Sequence, residues 1–321
     1  MLALQTIPRV GPITALRVAL SDELEELGAK QAAPQDLRRA YDQANEAVLR
    51  WADEGLQVLT FFDRRYPNRL RLLHDPPPLL WVRGSIDVLS QDKLVAVIGT
   101  REPSTFGVSA ARSLTSAVCE KGWGVVSGLA KGCDTLAHQQ ALASGAATVA
   151  VMGGGLDRIY PSENEGLAAA IVERGGALVS EQPLETRPSA GNLIRRDRLQ
   201  VALGVAVIVC QTGIKGGSMH TVRFAAEQGR AVFCPDPEGT NGRSDGLRAL
   251  LGSPASELCT LLPAWRDAHK LCRRLNGRPL AHAIRREDFD VLLDRLDEAL
   301  AVENGEVVGD VLRPPDECAA G

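Results

Sequence analysis

Short, almost wholly apolar runs alternate with amphipathic segments through the middle of the chain, from residue 93 to residue 235. Six such runs occur: LVAVIG, WGVVSG, ATVAVMG, ALVSE, GVAVIVC and AVFCP. Helical patterns of roughly a dozen residues separate them. Strands that are apolar on both faces are typical of a parallel sheet covered by helices on each side. The pattern therefore predicts a doubly wound α/β fold with a mostly parallel sheet.

The segments on either side of this block carry other patterns. Residues 55–85 hold two short strands, QVLTFF and LLWVRG, around three consecutive prolines, and we expect them to extend the edge of the sheet. Residues 1–50 are predicted to be a small helical region with the outline of a helix-hairpin-helix, which either contacts DNA or only packs. Residues 255–305 are predicted to be helical, with DFDVLLDRLDEALA clearly amphipathic, and residues 306–321 to be a tail. The α/β domain is accordingly placed at residues 55–240.

Composition is that of an ordinary globular protein, with 45% apolar and 24% charged residues. The formal net charge of -4 gives no overall electrostatic reason to bind nucleic acid, so such binding requires a local basic patch. Seven dispersed cysteines without a C-x-x-C pair disfavour a zinc site and suit a reducing compartment. We find no signal-peptide pattern and no apolar stretch of ~20 residues, and therefore expect a cytoplasmic protein without a membrane partner.

Each of the first five apolar runs ends in glycine or a small polar residue. The ends are Gly99-Thr100-Arg101, Ser127-Gly128, Gly153-Gly154-Gly155, Ser180-Glu181 and Gln211-Thr212-Gly213. In a doubly wound sheet these ends meet at one edge, where ligands bind. Glycine after a strand also makes tight turns in proteins that bind nothing. Arg101 and Lys131 in these loops favour an anionic ligand, because guanidinium and ammonium groups pair with phosphate.

Two further basic segments are predicted to reach this edge. In GNLIRRDRLQVALG, residues 191–204, the helical spacing puts Arg195 and Arg198 on one face toward the edge, while Asp197 points elsewhere or braces an arginine. A solvated charged face is the alternative for this helix. In IKGGSMHTVRF, Lys215 precedes a glycine turn and a helix start, where backbone N–H groups and the helix dipole favour an anion.

Motifs that would indicate catalysis or cofactor chemistry are missing from the sequence. The GTR loop is not G-x-G-x-x-G, and no acidic residue ends the second run, which disfavours NAD. No nucleophile, base and orienting residue occur in a recognisable order, so we expect no catalytic residue, no metal and no cofactor. The candidate phosphate- and nucleic-acid-binding residues are Gly99, Thr100, Arg101, Ser127, Gly128, Lys131, Gly153, Gly154, Arg195, Arg196, Arg198, Lys215, Gly216, Gly217 and Ser218.

Taken together, these segments resemble the DNA-processing protein A family, also called Smf or DprA. The resemblance covers residues of about 55 to 237 and rests on VAVIGTREPSTFG, VVSGLAKGCDTLAHQQAL, VAVMGGGLDRIYPSEN, LVSEQP, RRDRLQVALGVAVIVC, GGSMHT and EQGRAVFCPDP. It implies an extended Rossmann fold and a cytosolic homodimer that binds single-stranded DNA. It also implies a non-enzymatic recombination mediator, which helps to load a RecA-type recombinase during natural transformation.

The resemblance also assigns roles to particular positions. The family's strand-end arginine falls on Arg101, its Ser-Gly-x-Ala loop on Ser127, Gly128 and Ala130, its Arg-Asn-Arg motif on Arg196, Asp197 and Arg198, and its Ser-Gly-Ser loop on Gly216, Gly217 and Ser218. Each of these positions belongs to the edge predicted from the strand ends.

Three positions depart from the family's pattern, which makes this chain a divergent member. Asp197 replaces an asparagine and adds a negative charge near the expected path of phosphates. Ser162 stands where a lysine is frequent and Leu193 where a phenylalanine is frequent, so a phosphate contact and a stacking ring are missing. The alternative function is therefore a nucleotide-binding sensor, or a nucleotide-cleaving enzyme of a related Rossmann-like superfamily. The family's frequent winged helix is not evident in residues 260–302.

Overall fold

The computed structural model describes residues 34–237, 244–252, 281–284 and 289–304. The helix-hairpin-helix outline and the tail predicted at residues 306–321 lie outside these described residues.

The described residues form one sheet of nine strands in the order β1-β2-β6-β5-β4-β3-β7-β8-β9. The strands are β1 (Leu56–Thr60), β2 (Leu79–Gly84), β3 (Leu94–Ile98), β4 (Gly124–Ser127), β5 (Thr148–Met152), β6 (Ala177–Ser180), β7 (Ala206–Val209), β8 (Ala231–Pro235) and β9 (His282–Ile284). β2 pairs antiparallel with both β1 and β6, and all other neighbours are parallel. The predicted doubly wound, mostly parallel α/β sheet is confirmed, and the fold is Rossmann-like.

Helices connect the strands and cover both faces of the sheet. They are α1 (Pro34–Asp53), α2 (Asn68–Arg71), α3 (Thr105–Glu120), α4 (Cys133–Ala143), α5 (Glu165–Glu173), α6 (Ala190–Leu203), α7 (Ser218–Glu227), α8 (Asp245–Gly252) and α9 (Phe289–Glu303), with single 3-10 turns at Asp87–Ser90 and Ser162–Asn164. Serine caps begin two of them, since Ser104 accepts the N–H of Gly107 in α3 and Ser189 accepts that of Asn192 in α6.

Strand β3 shows why the apolar runs are continuous. Val95 and Val97 pack into a core with α3, α4 and α9, whereas Ala96 and Ile98 pack on the other face with α6, α7 and α8. Both faces are buried, so an alternation of polar and apolar residues would leave polar groups inside the protein. The sequence pattern and the three-layer architecture therefore have the same cause.

The order in which the strands are added to the sheet reverses between the adjacent strands β3 and β7. β4, β5 and β6 follow one another on one side of β3, and β7, β8 and β9 follow on the other side. The loops after β3 and β7 therefore leave adjacent strands toward opposite faces, which opens a crevice at the carboxyl-terminal edge of the sheet.

The predicted edge extension of the sheet is also confirmed. β1 and β2 form an antiparallel pair that continues the sheet beyond β6. Between them the Tyr66 hydroxyl donates a hydrogen bond of 2.8 Å to the carbonyl oxygen of Pro77, within the proline run. This contact holds the extended approach to β2.

The end of the described chain returns to the sheet. Leu292, Leu293 and Leu296 of α9 are buried in the core shared with α3 and α4, as the amphipathic pattern predicts. β9 pairs in parallel with β8, inside a segment predicted to be only helical, so that prediction is wrong at His282–Ile284. No helix in the ranges given above is long and apolar enough to span a lipid bilayer.

One guanidinium joins four segments at the amino-terminal edge of the sheet. Arg69 in α2 donates hydrogen bonds to the carbonyl oxygens of Gln91, Asp92 and Leu203, at 2.9, 2.7 and 3.1 Å. It also forms an ion pair of 2.9 Å with Glu303 in the last turn of α9. The starts of β3 and β7 and the end of α9 are thus held by one side chain, and we call this set of contacts the Arg69 cluster.

Candidate nucleic-acid interface

A cleft of about 570 Å³ opens where the loops after β3 and β7 diverge. Its lining residues are Thr100, Arg101, Glu102, Gly213, Ile214, Lys215, Gly216 and Asp245. The two loops are joined at the base of the cleft, where the Thr100 amide donates a hydrogen bond of 2.8 Å to the carbonyl oxygen of Gln211. The cleft therefore occupies the position at which ligands bind in open α/β sheets.

Both cationic side chains of this cleft, Arg101 and Lys215, are exposed to solvent. Asp245, one of its two acidic residues, uses Oδ1 to accept hydrogen bonds from the backbone N–H groups of Ile214 and Gly246, at 3.2 and 3.1 Å. One carboxylate oxygen of Asp245 is therefore used to hold the loop, while both cations are accessible to an anion.

The turn before α7 depends on glycine. The Gly216 amide donates a hydrogen bond of 2.8 Å to the carbonyl oxygen of Gly213, and a Cβ at Gly216 would lie 2.6 Å from Oγ1 of Thr212. Gly217 is exposed, with open space around its Cβ position. The buried Ser218 hydroxyl donates to Thr212 Oγ1 at 2.8 Å and belongs to the turn. The amino-terminal end of the ten-residue helix α7, with its partial positive charge, thus lies at the cleft.

Asp134 organises the loop that follows β4. It is buried in the first turn of α4 and accepts hydrogen bonds from the backbone N–H groups of Gly128 and Ala130, at 3.2 and 3.4 Å. Burial raises the pKa of this carboxyl group. The Ser127 hydroxyl donates a hydrogen bond of 2.6 Å to the carbonyl oxygen of Val97 inside the sheet. The prediction that Ser127 and Gly128 lie open at the edge is therefore corrected, because their donors are used within the fold.

Lys131 lies at the tip of the same loop, in contact with the loop that carries Arg101. Gly132 has a φ of +81°, and a Cβ there would lie 2.3 Å from the carbonyl oxygen of Thr100, so the two loops touch through their backbones. The exposed Lys131 ammonium forms an ion pair with Glu163, in the loop after β5. Lys131 therefore reaches the predicted edge with a carboxylate partner.

Arg196 is buried beneath the loop after β4. Its Nη1 donates a hydrogen bond of 2.6 Å to the carbonyl oxygen of Val151, and its Nε donates to that of Leu193 at 3.2 Å. A Cβ at Gly128 would lie 1.8 Å from the same Nη1, so the guanidinium packs directly against the glycine backbone. Arg196 was expected at the exposed edge, and this is corrected, because its guanidinium is buried and donates its hydrogen bonds within the fold.

Asp197 was expected to point away from the edge or to brace an arginine, and it braces Arg196. Its Oδ1 lies 3.0 Å from Nε of Arg196, and it accepts a hydrogen bond of 3.3 Å from Gln200 Nε2. Burial raises the pKa of Asp197 to about 6, although the positive charges of Arg196 and Arg101 act in the opposite direction. The positive charge of Arg101 thus acts on the Asp197 carboxyl group, which does not line the cleft.

Arg195 and Arg198 do share a helix face, as predicted, but that face meets Glu181. The buried Arg198 makes hydrogen bonds of 3.2 and 2.8 Å to the two carboxylate oxygens of Glu181 and an ion pair of 2.8 Å with Asp75. Arg195 Nε lies 3.5 Å from Glu181 Oε1, with the side chain 45% exposed. The prediction that both arginines are directed to a ligand is corrected, because a carboxylate of the protein is their partner.

Three of the predicted glycines are required by packing within the chain. A Cβ at Gly153 would lie 2.9 Å from Cδ2 of Leu193, and one at Gly154 would lie 2.9 Å from a backbone carbonyl oxygen of the following loop. A Cβ at Gly99 would lie 2.5 Å from Sγ of Cys133. The close backbone approach inferred at these positions is present, but the approaching atoms belong to the protein itself.

The structure thus separates the fifteen predicted residues into three groups. Five lie along one edge with at least partial exposure: Thr100, Arg101, Lys215, Gly216 and Gly217. Lys131 and Arg195 are exposed but each is paired with a carboxylate of the protein. The other eight are packed or paired within the fold: Gly99, Ser127, Gly128, Gly153, Gly154, Arg196, Arg198 and Ser218.

Sequence reasoning missed two residues that shape this edge. Asp134 had one usable signal, an acidic residue in the first turn of a helix that follows a glycine loop. Asp245 had none, because it enters the cleft from a segment beyond β8. In the described ranges, no three histidine, cysteine, aspartate or glutamate side chains are grouped to hold a metal ion.

Comparison with known proteins gives matches centred on the α/β domain. Residues 57–265 match the family described as DNA recombination-mediator protein A. DNA processing protein DprA of Bacillus subtilis is 34% identical over 218 residues, which cover 68% of this chain and 72% of that protein. Protein Smf of Escherichia coli is 39% identical over 208 residues, which cover 64% of this chain and 55% of that protein. Among solved structures, DNA processing protein A from Helicobacter pylori, reported for its single-stranded DNA binding mode, aligns with a TM-score of 0.59 and 26% identity, over 75% of this chain and 97% of that one.

Proposed function

Because the chain belongs to the DNA recombination-mediator protein A family, we propose that it binds single-stranded DNA at the carboxyl-terminal edge of its sheet. The observation that carries the proposal is the cleft at the topological switch point, with the exposed cations Arg101 and Lys215 and the amino-terminal end of α7. Phosphate groups are attracted by each of these three features. Lys131, which is also exposed, extends the same edge across the neighbouring loop.

The local arrangement of charge answers the objection from composition. A net charge of -4 disfavours general attraction of nucleic acid, but two acidic groups at or near the edge are engaged by the protein. Asp197 is paired with Arg196, and Asp245 holds backbone N–H groups. Binding through a few phosphate contacts on such an edge is strongly salt-dependent, and this gives a quantitative test.

The test is a fluorescence-anisotropy titration of a labelled oligothymidylate at two salt concentrations. We expect Arg101→Ala and Lys215→Ala to weaken binding and to reduce the slope of log K against log salt by about 0.7 each, the value for one phosphate contact on a single strand. Lys121→Ala is the matched control, since Lys121 is exposed at the end of α3, just before the start of β4 and thus at the opposite edge. Absence of binding by the native protein at low salt, or variants that bind like the control, would disprove the proposal.

We further propose that this binding serves recombination without catalysis, in a cytoplasmic homodimer that transfers the bound strand to a RecA-type recombinase. The support is the family's description as a recombination mediator and the resemblance of the motifs. Sedimentation analysis tests the dimer, cell fractionation the compartment, and recombinase filament formation on protein-coated strands tests the transfer. Oligonucleotide cleavage during incubation would contradict the non-enzymatic role.

A small-nucleotide pocket is the alternative, because a cleft at a switch point is also where Rossmann-like folds bind nucleotides. A thermal-shift experiment separates the two functions. Stabilisation by a mononucleotide, with none by an oligonucleotide, would favour a nucleotide sensor, and hydrolysis of that nucleotide would favour a nucleotide-cleaving enzyme.

A further inference from the structure

Aromatic side chains can serve as stacking platforms for nucleobases. Few aromatic rings are exposed on the described surface. The exposed rings are those of Tyr41, Phe62 and Tyr160. Tyr41 lies on α1 and Phe62 follows the edge strand β1. Tyr160, whose exposed fraction is 48%, lies in the loop after β5, inside the sheet's parallel block. Its loop is therefore part of the carboxyl-terminal edge that carries the cleft.

Direct contacts join the Tyr160 loop to the basic loops beside it. Glu163 pairs with Lys131, and the Asn164 side chain donates hydrogen bonds of 2.8 Å to the Leu129 carbonyl oxygen and 2.9 Å to Thr135 Oγ1. These contacts connect the loops after β5 and β4.

The loop after β4 is in turn joined to the loop that carries Arg101. The Cys133 amide donates a hydrogen bond of 3.1 Å to the carbonyl oxygen of Thr100. The loops after three neighbouring strands, β5, β4 and β3, thus carry Tyr160, Lys131 and Arg101 in that order. Adjacent strands are about 4.8 Å apart, so the first and last loops leave strands about 10 Å apart. This separation is within the span of a short single strand.

We propose that Tyr160 is a stacking platform for a base of the bound single strand, whose phosphates contact Lys131 and Arg101. The inference rests on the proposed function. It adds a subsite that contacts the flat face of a base and makes no contact with a phosphate. Stacking on an aromatic ring accepts every base, because every base has a π-face. Engagement of Lys131 by a phosphate exchanges its Glu163 partner for the nucleic acid.

The experiment compares binding of a single-stranded oligothymidylate with binding of an abasic oligomer of the same length. Tyr160→Phe keeps the ring, Tyr160→Leu keeps an apolar side chain without a ring, and Tyr160→Ala removes both. Tyr41→Ala is the matched control, since it removes an exposed tyrosine from α1. Urea midpoints of all variants establish that each one is folded.

We expect Tyr160→Ala and Tyr160→Leu to bind oligothymidylate roughly 5- to 100-fold more weakly than the native protein, as for the loss of one stacked base. Tyr160→Phe should bind like the native protein, and the salt slope should be unchanged in all three variants, because no phosphate contact is lost. All variants should bind the abasic oligomer equally.

Two outcomes would overturn the inference. Tyr160→Leu within twofold of the control on oligothymidylate, or an equal loss on the abasic oligomer, would show that no base stacks on the ring. If native protein binds and Arg101→Ala weakens binding while Tyr160 variants do not, only the stacking subsite is refuted. If native protein binds neither oligomer, the proposed function fails as well.

Discussion

Replacing the buried Asp197 by asparagine is expected to stabilise the protein at neutral pH. The carboxyl group is 8% exposed, contacts Arg196 at 3.0 Å and accepts a hydrogen bond from Gln200. Asparagine has the same size and keeps an acceptor oxygen for Arg196 and Gln200, while its amide nitrogen can donate to the Thr221 hydroxyl that bonds the carboxylate. The substitution therefore removes a charge with little change in packing.

The size of the effect follows from the pKa. Burial raises the pKa of Asp197 from 3.8 to about 6, despite its proximity to Arg196. At about 1.4 kcal/mol per unit, ionised Asp197 is about 3 kcal/mol less favourable in the folded chain than in the unfolded chain. The attraction of Arg196 is included in this value, so loss of the ion pair does not reverse its sign.

The same shift determines the pH dependence. Between pH 3.8 and about 6, the folded chain holds this proton while the unfolded chain has lost it. The folded chain thus binds more protons, and its stability falls as the pH rises through this window. The benefit of the neutral acid is complete below the unfolded pKa and is lost above the folded one. Asparagine stays neutral, so its advantage grows from about 1 kcal/mol near pH 4.5 to about 3 kcal/mol near pH 7.5.

The assay is urea unfolding followed by circular dichroism, at about pH 4.5 and about pH 7.5, for the native chain and Asp197→Asn. Asp42→Asn is the matched control, because Asp42 is exposed on α1. The control should follow the native chain at both pH values. An Asp197→Asn chain that is less stable than the native one near pH 7.5, or equally stabilised at both pH values, would refute the reasoning.

Three further outcomes follow from the same region. Arg198→Ala removes the bidentate partner of the buried Glu181 carboxylate and leaves it the partly exposed Arg195 at 3.5 Å, so it should lower the free energy of unfolding by about 3 kcal/mol, measured by urea unfolding. A loss below about 1 kcal/mol would contradict the buried pair. Gly128→Ala places a methyl group on the guanidinium of Arg196 and should cost about 1 to 3 kcal/mol in the same assay, whereas an unchanged midpoint would show that the two do not pack together. Oligonucleotide affinity of the native chain should fall as the pH rises through about 6, because ionised Asp197 repels a nearby phosphate. Asp197→Asn should remove this pH dependence. Equal pH profiles of affinity for the two chains would exclude an effect of Asp197 on binding.

The fold could be predicted because the sequence of each buried central strand is one continuous apolar run. Val95 to Ile98 face two cores and leave no position for a polar side chain, which distinguishes a central parallel strand from an exposed one. β9 was missed for the opposite reason. It has three residues, two of them exposed, and it forms only because β8 offers a free edge. A strand of this kind depends on pairing with its neighbour, and its own sequence has no strand-like pattern of apolar residues.

The candidate site was predictable only where position along a strand determines exposure. Arg101 and Lys215 follow β3 and β7 closely, so they emerge at the carboxyl-terminal edge. Arg198 lies within a helix, and helical spacing gives its face without saying what that face meets. Its partner Asp75 is 123 residues away in the chain, so the pairing that removes it from the surface leaves no local signal.

The Arg69 cluster joins several segments by polar contacts at the end of the strands opposite to the cleft. Substitutions there change how firmly the helices and strand starts are held, while the loops that line the cleft are a full strand length away. Substitutions in the Arg69 cluster can therefore change stability without touching the residues that line the cleft.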